Sequence, residues 1–315
     1  MTAHPLIIYV PGLLPKPEPE LHRNALRDCV LAGLQQVDAD VASAIQKTVG
    51  SFDLVSWTYD FYSEHRDIEL DRAAIEAVMQ QPHASDRDVA EASSFLRRAT
   101  RWIYHLGDWL PFLIPHLATE RMEMHLRDVF RYEKNSNGIA DHVRRMLKVA
   151  LLAAHKGGHP VLLIGHSMGS VIAWDALWEL SHAADKSIEL DLWLTMGSPL
   201  GQRFMQRRIR GHDEQGTKRY PNNIRRWKNL AAVGDLTAID PTLGNDFGEM
   251  VTLGLVDAID DELLFNAFRL DGELNVHAEY GYLANEKTAL TIARWWRGHD
   301  ANFAGRSASP LPDSV

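Results

Sequence analysis

Val161-Leu162-Leu163-Ile164-Gly165-His166-Ser167-Met168-Gly169 is the stretch whose reading decides the fold. An apolar run gives way to Gly-x-Ser-x-Gly, and Ser170-Val171-Ile172-Ala173-Trp174-Asp175-Ala176-Leu177 follows at once, with Val171, Trp174, Leu177 and Trp178 at helical spacing. The pattern predicts strand, tight turn and helix. A serine at the apex of such a turn is held in a strained backbone conformation, and a side chain at 165 or 169 would collide with the neighbouring strand or helix. Ser167 is thereby pushed out to where a substrate carbonyl can reach it. The adjoining helix N-terminus adds unpaired N–H groups and a dipole that favour negative charge developing beside the serine.

A pentapeptide alone also fits a plain glycine turn, but the strand before it and the helix after it are what a nucleophile elbow requires. At these residues the chain resembles the α/β-hydrolase superfamily, in particular its serine lipase and esterase branches. The resemblance implies an α/β fold, a doubly wound, mostly parallel sheet flanked by helices. It also implies nucleophile, acid and base in the chain order Ser, Asp or Glu, His.

A serine hydroxyl is a poor nucleophile at neutral pH and needs a base, which in turn needs an acid to fix its tautomer. Trp227-Lys228-Asn229-Leu230-Ala231-Ala232-Val233 reads as the next strand but one, and Asp235 in Gly234-Asp235-Leu236-Thr237-Ala238 sits just past its end. Trp-x-Asn followed shortly by Asp is similar to a stretch in lipase-like α/β-hydrolases. Asp240 is the rival, yet an aspartate before Pro241 reads as turn-forming. Leu274-Asn275-Val276 then reads as a short strand leading into His277-Ala278-Glu279-Tyr280-Gly281-Tyr282, and His277 is the base chosen by order and position. His299 lies too near the tail, and His166 reads as a shaping side chain within the elbow. Catalytic Ser167, Asp235 and His277 are therefore the expected set.

Leu6-Ile7-Ile8-Tyr9-Val10 is a buried-strand pattern broken by Pro11-Gly12-Leu13-Leu14-Pro15. In the resembling family the loop after this strand supplies one oxyanion N–H; by motif position the donors here are Leu13 and Met168. Gly197-Ser198-Pro199, after the strand Leu190–Met196, is a turn associated with the lipase-like branch, with Ser198 as a turn hydroxyl.

Strand and helix cease to alternate from 62 to 138, where 68–79, 86–106 and 119–131 all look helical. That span is read as a helical cap inserted into a core of 1–61 and 139–298, with 299–315 a flexible tail. Trp109-Leu110-Pro111-Phe112-Leu113-Ile114-Pro115 either meets a lipid surface, lines an acyl pocket or packs on the core. Residues 241–272 read as a long excursion between acid and base.

At 315 residues and 45% hydrophobic, one α/β domain with insertions is the economical reading. A net charge of −9 argues against a nucleic-acid partner. The basic stretch 202–228, rich in arginine, reads as a solvated loop or as an approach for an anionic headgroup. Cys29, the one cysteine, reads as a small core residue. No signal peptide and no apolar run of about 18 residues is evident, so cytoplasmic residence is the expectation. No metal or organic cofactor is implied. The expected activity is hydrolysis of a carboxylic ester, acyl lipids included; thioester cleavage or acyl transfer would use the same residues, and a non-catalytic binding module is the rival of another class.

Overall fold

Six strands, β1 (Leu6–Val10), β2 (Phe52–Leu54), β3 (Val161–His166), β4 (Leu190–Met196), β5 (Ile224–Ala232) and β6 (Ala258–Leu264), lie in the order β2-β1-β3-β4-β5-β6. Every neighbouring pair is parallel. A small antiparallel hairpin, β7 (Arg269–Leu270) with β8 (Glu273–Leu274), stands outside this sheet. The computed structural model describes residues 3–94, 120–183, 188–301 and 303.

The continuous apolar strands follow from burial on both faces. Ile7, Tyr9, Leu162, Ile164, Leu194 and Met196 point into one core, Ile8, Val10, Leu163, Trp193 and Trp227 into the other. The first core is roofed by α1 (Pro19–Val37) and α2 (Ala39–Lys47), with Cys29 fully buried beneath α1. The second is covered by α3 (Thr58–Tyr62). Ile75 and Val78 of α4 (Glu69–Gln80) and Ala92 of α5 (Asp86–Ala92) return to the first core. Val129 and Tyr132 of α6 (Glu120–Glu133), with α7 (Ile139–Lys156) and α8 (Met168–Ser181), belong to the second. The short helices α9 (Arg203–Gln206), α10 (Leu243–Asp246) and α11 (Gly248–Thr252) precede α12 (Glu279–Ala284) and α13 (Glu286–His299), which close the first face.

Helices predicted over 68–79 and 119–131 thus run Glu69–Gln80 and Glu120–Glu133. The one predicted over 86–106 is helical at Asp86–Ala92, where Ser85 and Asp88 form a capping box. The helix ends there, with Ser93 as its C-cap, and 95–106 lie outside the described residues, as do the 109–115 run and the tail beyond 303. Two readings need correction. The excursion at 241–272 contains β6, an edge strand whose Asp260-Asp261-Glu262 run masks the apolar pattern. Charged residues on an edge strand oppose pairing with another sheet, and here they also bond inward: Asp261 accepts from Asn229 and from the N–H groups of Leu243 and Gly244. The strand expected at 274–276 is only the end of the small hairpin, and His277 follows in a turn rather than at a strand end of the main sheet.

Because the chain leaves β1 for β2 on one side and returns to β3 on the other, the connections diverge between β1 and β3. A crevice at the carboxyl ends of strands forms at such a point. Among the described residues no helix is long and apolar enough to cross a membrane.

Candidate active site

Ser167 follows β3 directly and stands at φ 53°, ψ −127°, before the first turn of α8. Such a backbone costs about 1–3 kcal/mol and persists only where the surroundings impose it. They do so by close approach. A Cβ on Gly165 would lie 2.8 Å from Ser170 Cα, and one on Gly169 would overlap the Val10 carbonyl oxygen at the end of β1. The Ser167 N–H donates to the Met196 carbonyl at 3.0 Å, which ties the turn to β4.

The three residues expected from chain order meet. Ser167 Oγ is 3.0 Å from His277 Nε2, and His277 Nδ1 is 2.8 Å from Asp235 Oδ2. With Nδ1–H donating to the carboxylate, Nε2 is left as the acceptor for the serine hydroxyl proton. Asp235 is buried; burial alone would raise its pKa, but the nearby His277, together with hydrogen bonds from His277, Tyr282 Oη and the Thr237 N–H, outweighs this and lowers it. Tyr282 is a partner that sequence reasoning missed: its hydroxyl donates to Asp235 Oδ2 at 2.8 Å and accepts from the Ala232 N–H at 2.7 Å. Gly197, at φ 55°, leaves room for the pair, since a Cβ there would come within 2.9 Å of Asp235 Oδ2.

The rival side chains are engaged elsewhere. Asp240 accepts from the Thr242 N–H and hydroxyl in a turn, and His299 lies against Asp191 at 3.3 Å. Ser198 Oγ accepts from the Leu200 N–H and meets Ser170 Oγ. Within the basic stretch, Arg208 pairs with Glu133, Arg210 with Glu179, Arg225 with Asp191 and Lys228 with Glu262.

The loop after β1 passes directly over the serine. A Cβ on Gly12 would lie 3.3 Å from Ser167 Oγ, and the Pro11 carbonyl is held by Trp57 Nε1–H at 3.0 Å. The Leu14 N–H donates to Tyr62 Oη at 3.1 Å, which takes it out of contention as an oxyanion donor and leaves the N–H groups of residues 12 and 13 on that side. Met168 opens α8, where an N–H has no partner within the helix.

Behind this loop lies a buried cluster that the sequence did not disclose. Glu279 Oε1 accepts from Lys16 Nζ at 2.7 Å and lies 3.1 Å from His22 Nε2, while Oε2 accepts from Tyr9 Oη at 2.9 Å. His166 Nε2–H donates to the His277 carbonyl at 2.9 Å, so the residue read as a shaping side chain holds the main chain of the expected base. Burial, then the proximity of His277, depresses the His166 pKa to about 3. An unfolded chain would take up that proton near 6.5. His166 therefore contributes its full stability above that value and loses it as the pH falls towards 3. The melting temperature should accordingly drop between these limits, and His166→Gln, which keeps a donor for the carbonyl, should flatten the slope. An equally steep profile in that variant would assign the acid sensitivity to another group.

Among the described residues no group of three or more His, Cys, Asp or Glu is arranged to hold a metal ion. Neither a family model, nor a curated protein, nor a solved structure matches the chain.

Proposed function

We propose that this chain is a serine hydrolase of the α/β-hydrolase type that cleaves carboxylic esters, acyl lipids among them. The observation that carries the reading is the continuous hydrogen-bonded chain from Ser167 Oγ through His277 to buried Asp235, at 3.0 and 2.8 Å.

In this reading His277 Nε2 takes the proton of Ser167 as Oγ attacks the ester carbonyl. Asp235 keeps Nδ1 protonated and steadies the imidazolium. The developing oxyanion accepts from the Met168 N–H and from the Leu13 side of the 12–14 loop, with the α8 N-terminus adding its dipole. His277 then gives its proton to the departing alcohol. Water, deprotonated in turn by His277, attacks the acyl-enzyme and frees the acid.

Intact mass after exposure to a fluorophosphonate tests this directly. One adduct on the wild type, absent from folded Ser167→Ala and His277→Ala, is the expected result, and turnover of a graded series of acyl esters and thioesters would then define the leaving group. A folded wild type that takes no adduct would remove the hydrolase reading in favour of a binding module.

A further inference from the structure

The loop over Ser167 contains a strained residue whose restraint comes from a distant helix. Leu14 has φ 75°, the left-handed region that a leucine rarely adopts, and the partner holding it there is Tyr62 Oη. An N–H can only donate, so the tyrosine oxygen accepts from Leu14 and has its own hydrogen free to give. It gives it to Asp128 Oδ2 at 3.0 Å. Burial, first among the causes, raises the Tyr62 pKa, which keeps the phenol protonated as this donor role demands.

Asp128 is buried on α6, and α6 reaches the body of the molecule at several points. Val129 and Tyr132 enter the second core, and the Arg131 guanidinium lies 4.2 Å over the Phe61 ring, next to Tyr62 in α3. Tyr132 Oη donates to buried Asp175 on α8 at 2.9 Å. The relay from Asp128 to Leu14 therefore links a seated helix to the loop that borders the nucleophile. Among the described residues no member of α6 is hydrogen-bonded to Ser167, His277 or Asp235.

We propose that Tyr62 is a positioning residue: it holds Leu14 in its left-handed conformation so that the preceding N–H groups face the carbonyl attacked by Ser167, and Asp128 makes this hold depend on the seating of α6. The inference rests on the hydrolytic reading of Ser167. Its consequence is that displacement of α6 loosens the oxyanion loop while the Ser167–His277–Asp235 chain stays intact. Misplacement of a catalytic donor by about 1 Å is enough to cost about 100-fold in rate.

The test uses the full chain as wild type, Tyr62→Phe, Asp128→Asn and Asp128→Leu, with p-nitrophenyl butyrate as substrate, fluorophosphonate mass labelling and a melting curve for each. Tyr62→Phe should lower kcat about 10- to 100-fold with KM within about twofold, the signature of a donor that acts in the transition state. Asp128→Leu should do the same. Asp128→Asn, whose amide oxygen still accepts from Tyr62 Oη, should stay within about threefold of the wild type. An unchanged kcat in Tyr62→Phe overturns the proposal, and so does an Asp128→Asn loss equal to that of Asp128→Leu, which would make the effect one of charge. Should Tyr62→Phe fail to fold, the two Asp128 variants decide between the same outcomes. A wild type that neither labels nor turns over removes the hydrolytic reading and this inference together; a labelled, active wild type matched by all three variants removes this inference alone.

Discussion

Ser167→Ala should abolish ester hydrolysis while leaving the melting temperature nearly unchanged. The expected fall in kcat is on the order of 10⁴- to 10⁶-fold, because a residue that acts as part of a unit takes most of the unit's effect with it. His277→Ala should fall about as far, and the double variant should be little worse than either single one, since each change alone disables the same step. The small stability effect follows from what the hydroxyl touches: its hydrogen bond is to His277 Nε2 at 3.0 Å, and the positive φ is enforced by the Met196 carbonyl and the close-packed glycines, which alanine leaves in place. Stopped-flow or steady-state turnover alongside a thermal scan reads both quantities. Residual activity above about one hundredth of the wild type would sink the assignment of Ser167 as nucleophile.

The largest stability effect should come from Glu279→Ala. Its carboxylate is 4% exposed and is shared by Lys16, His22 and Tyr9. Burial works against its ionisation, but the neighbouring Lys16 and His22 prevail and hold its pKa well below the ordinary glutamate range. Deleting it leaves Lys16 and His22 without their common acceptor, a change that costs about 3–5 kcal/mol when a buried pair is broken on one side. The denaturant midpoint should fall by that free energy divided by an unchanged slope, and Glu279→Leu combined with Lys16→Met should regain part of the loss. A loss under about 1 kcal/mol would mean that the cluster is solvated in solution. Because the folded pKa is the lower one, the contribution is present above the ordinary glutamate range and vanishes as acid carries the pH through the depressed value.

What could be read beforehand was local or ordered. Gly165 to Gly169 declare a strand-turn-helix within a few residues, and chain order and position picked out Asp235 and His277, whose side chains the fold brings into line with Ser167. What could not be read depends on contacts between remote segments. Tyr9 meets Glu279 across 270 positions, and Tyr62 meets Asp128 across 66. No periodicity links such pairs. α3 spans only five residues, too short for a helical pattern, and β6 has acids where a buried strand would alternate. α2 did leave a signal that went unused: Asp38 at its N-cap accepts from the Val41 N–H at 3.2 Å, and an aspartate three residues before a valine in an apolar run is a helix start.

The strand order also dictates when the chemistry can exist. β1 pairs with β3, which the chain reaches only after the whole of residues 11–160 has been made, and His277 comes later still. Chains emerge from synthesis N-terminus first, and sheets built from such distant pairings close late in folding. On the proposed reading, Ser167 is thus made before anything can take its hydroxyl proton, and the nascent protein attacks no acyl ester until its last helices have docked.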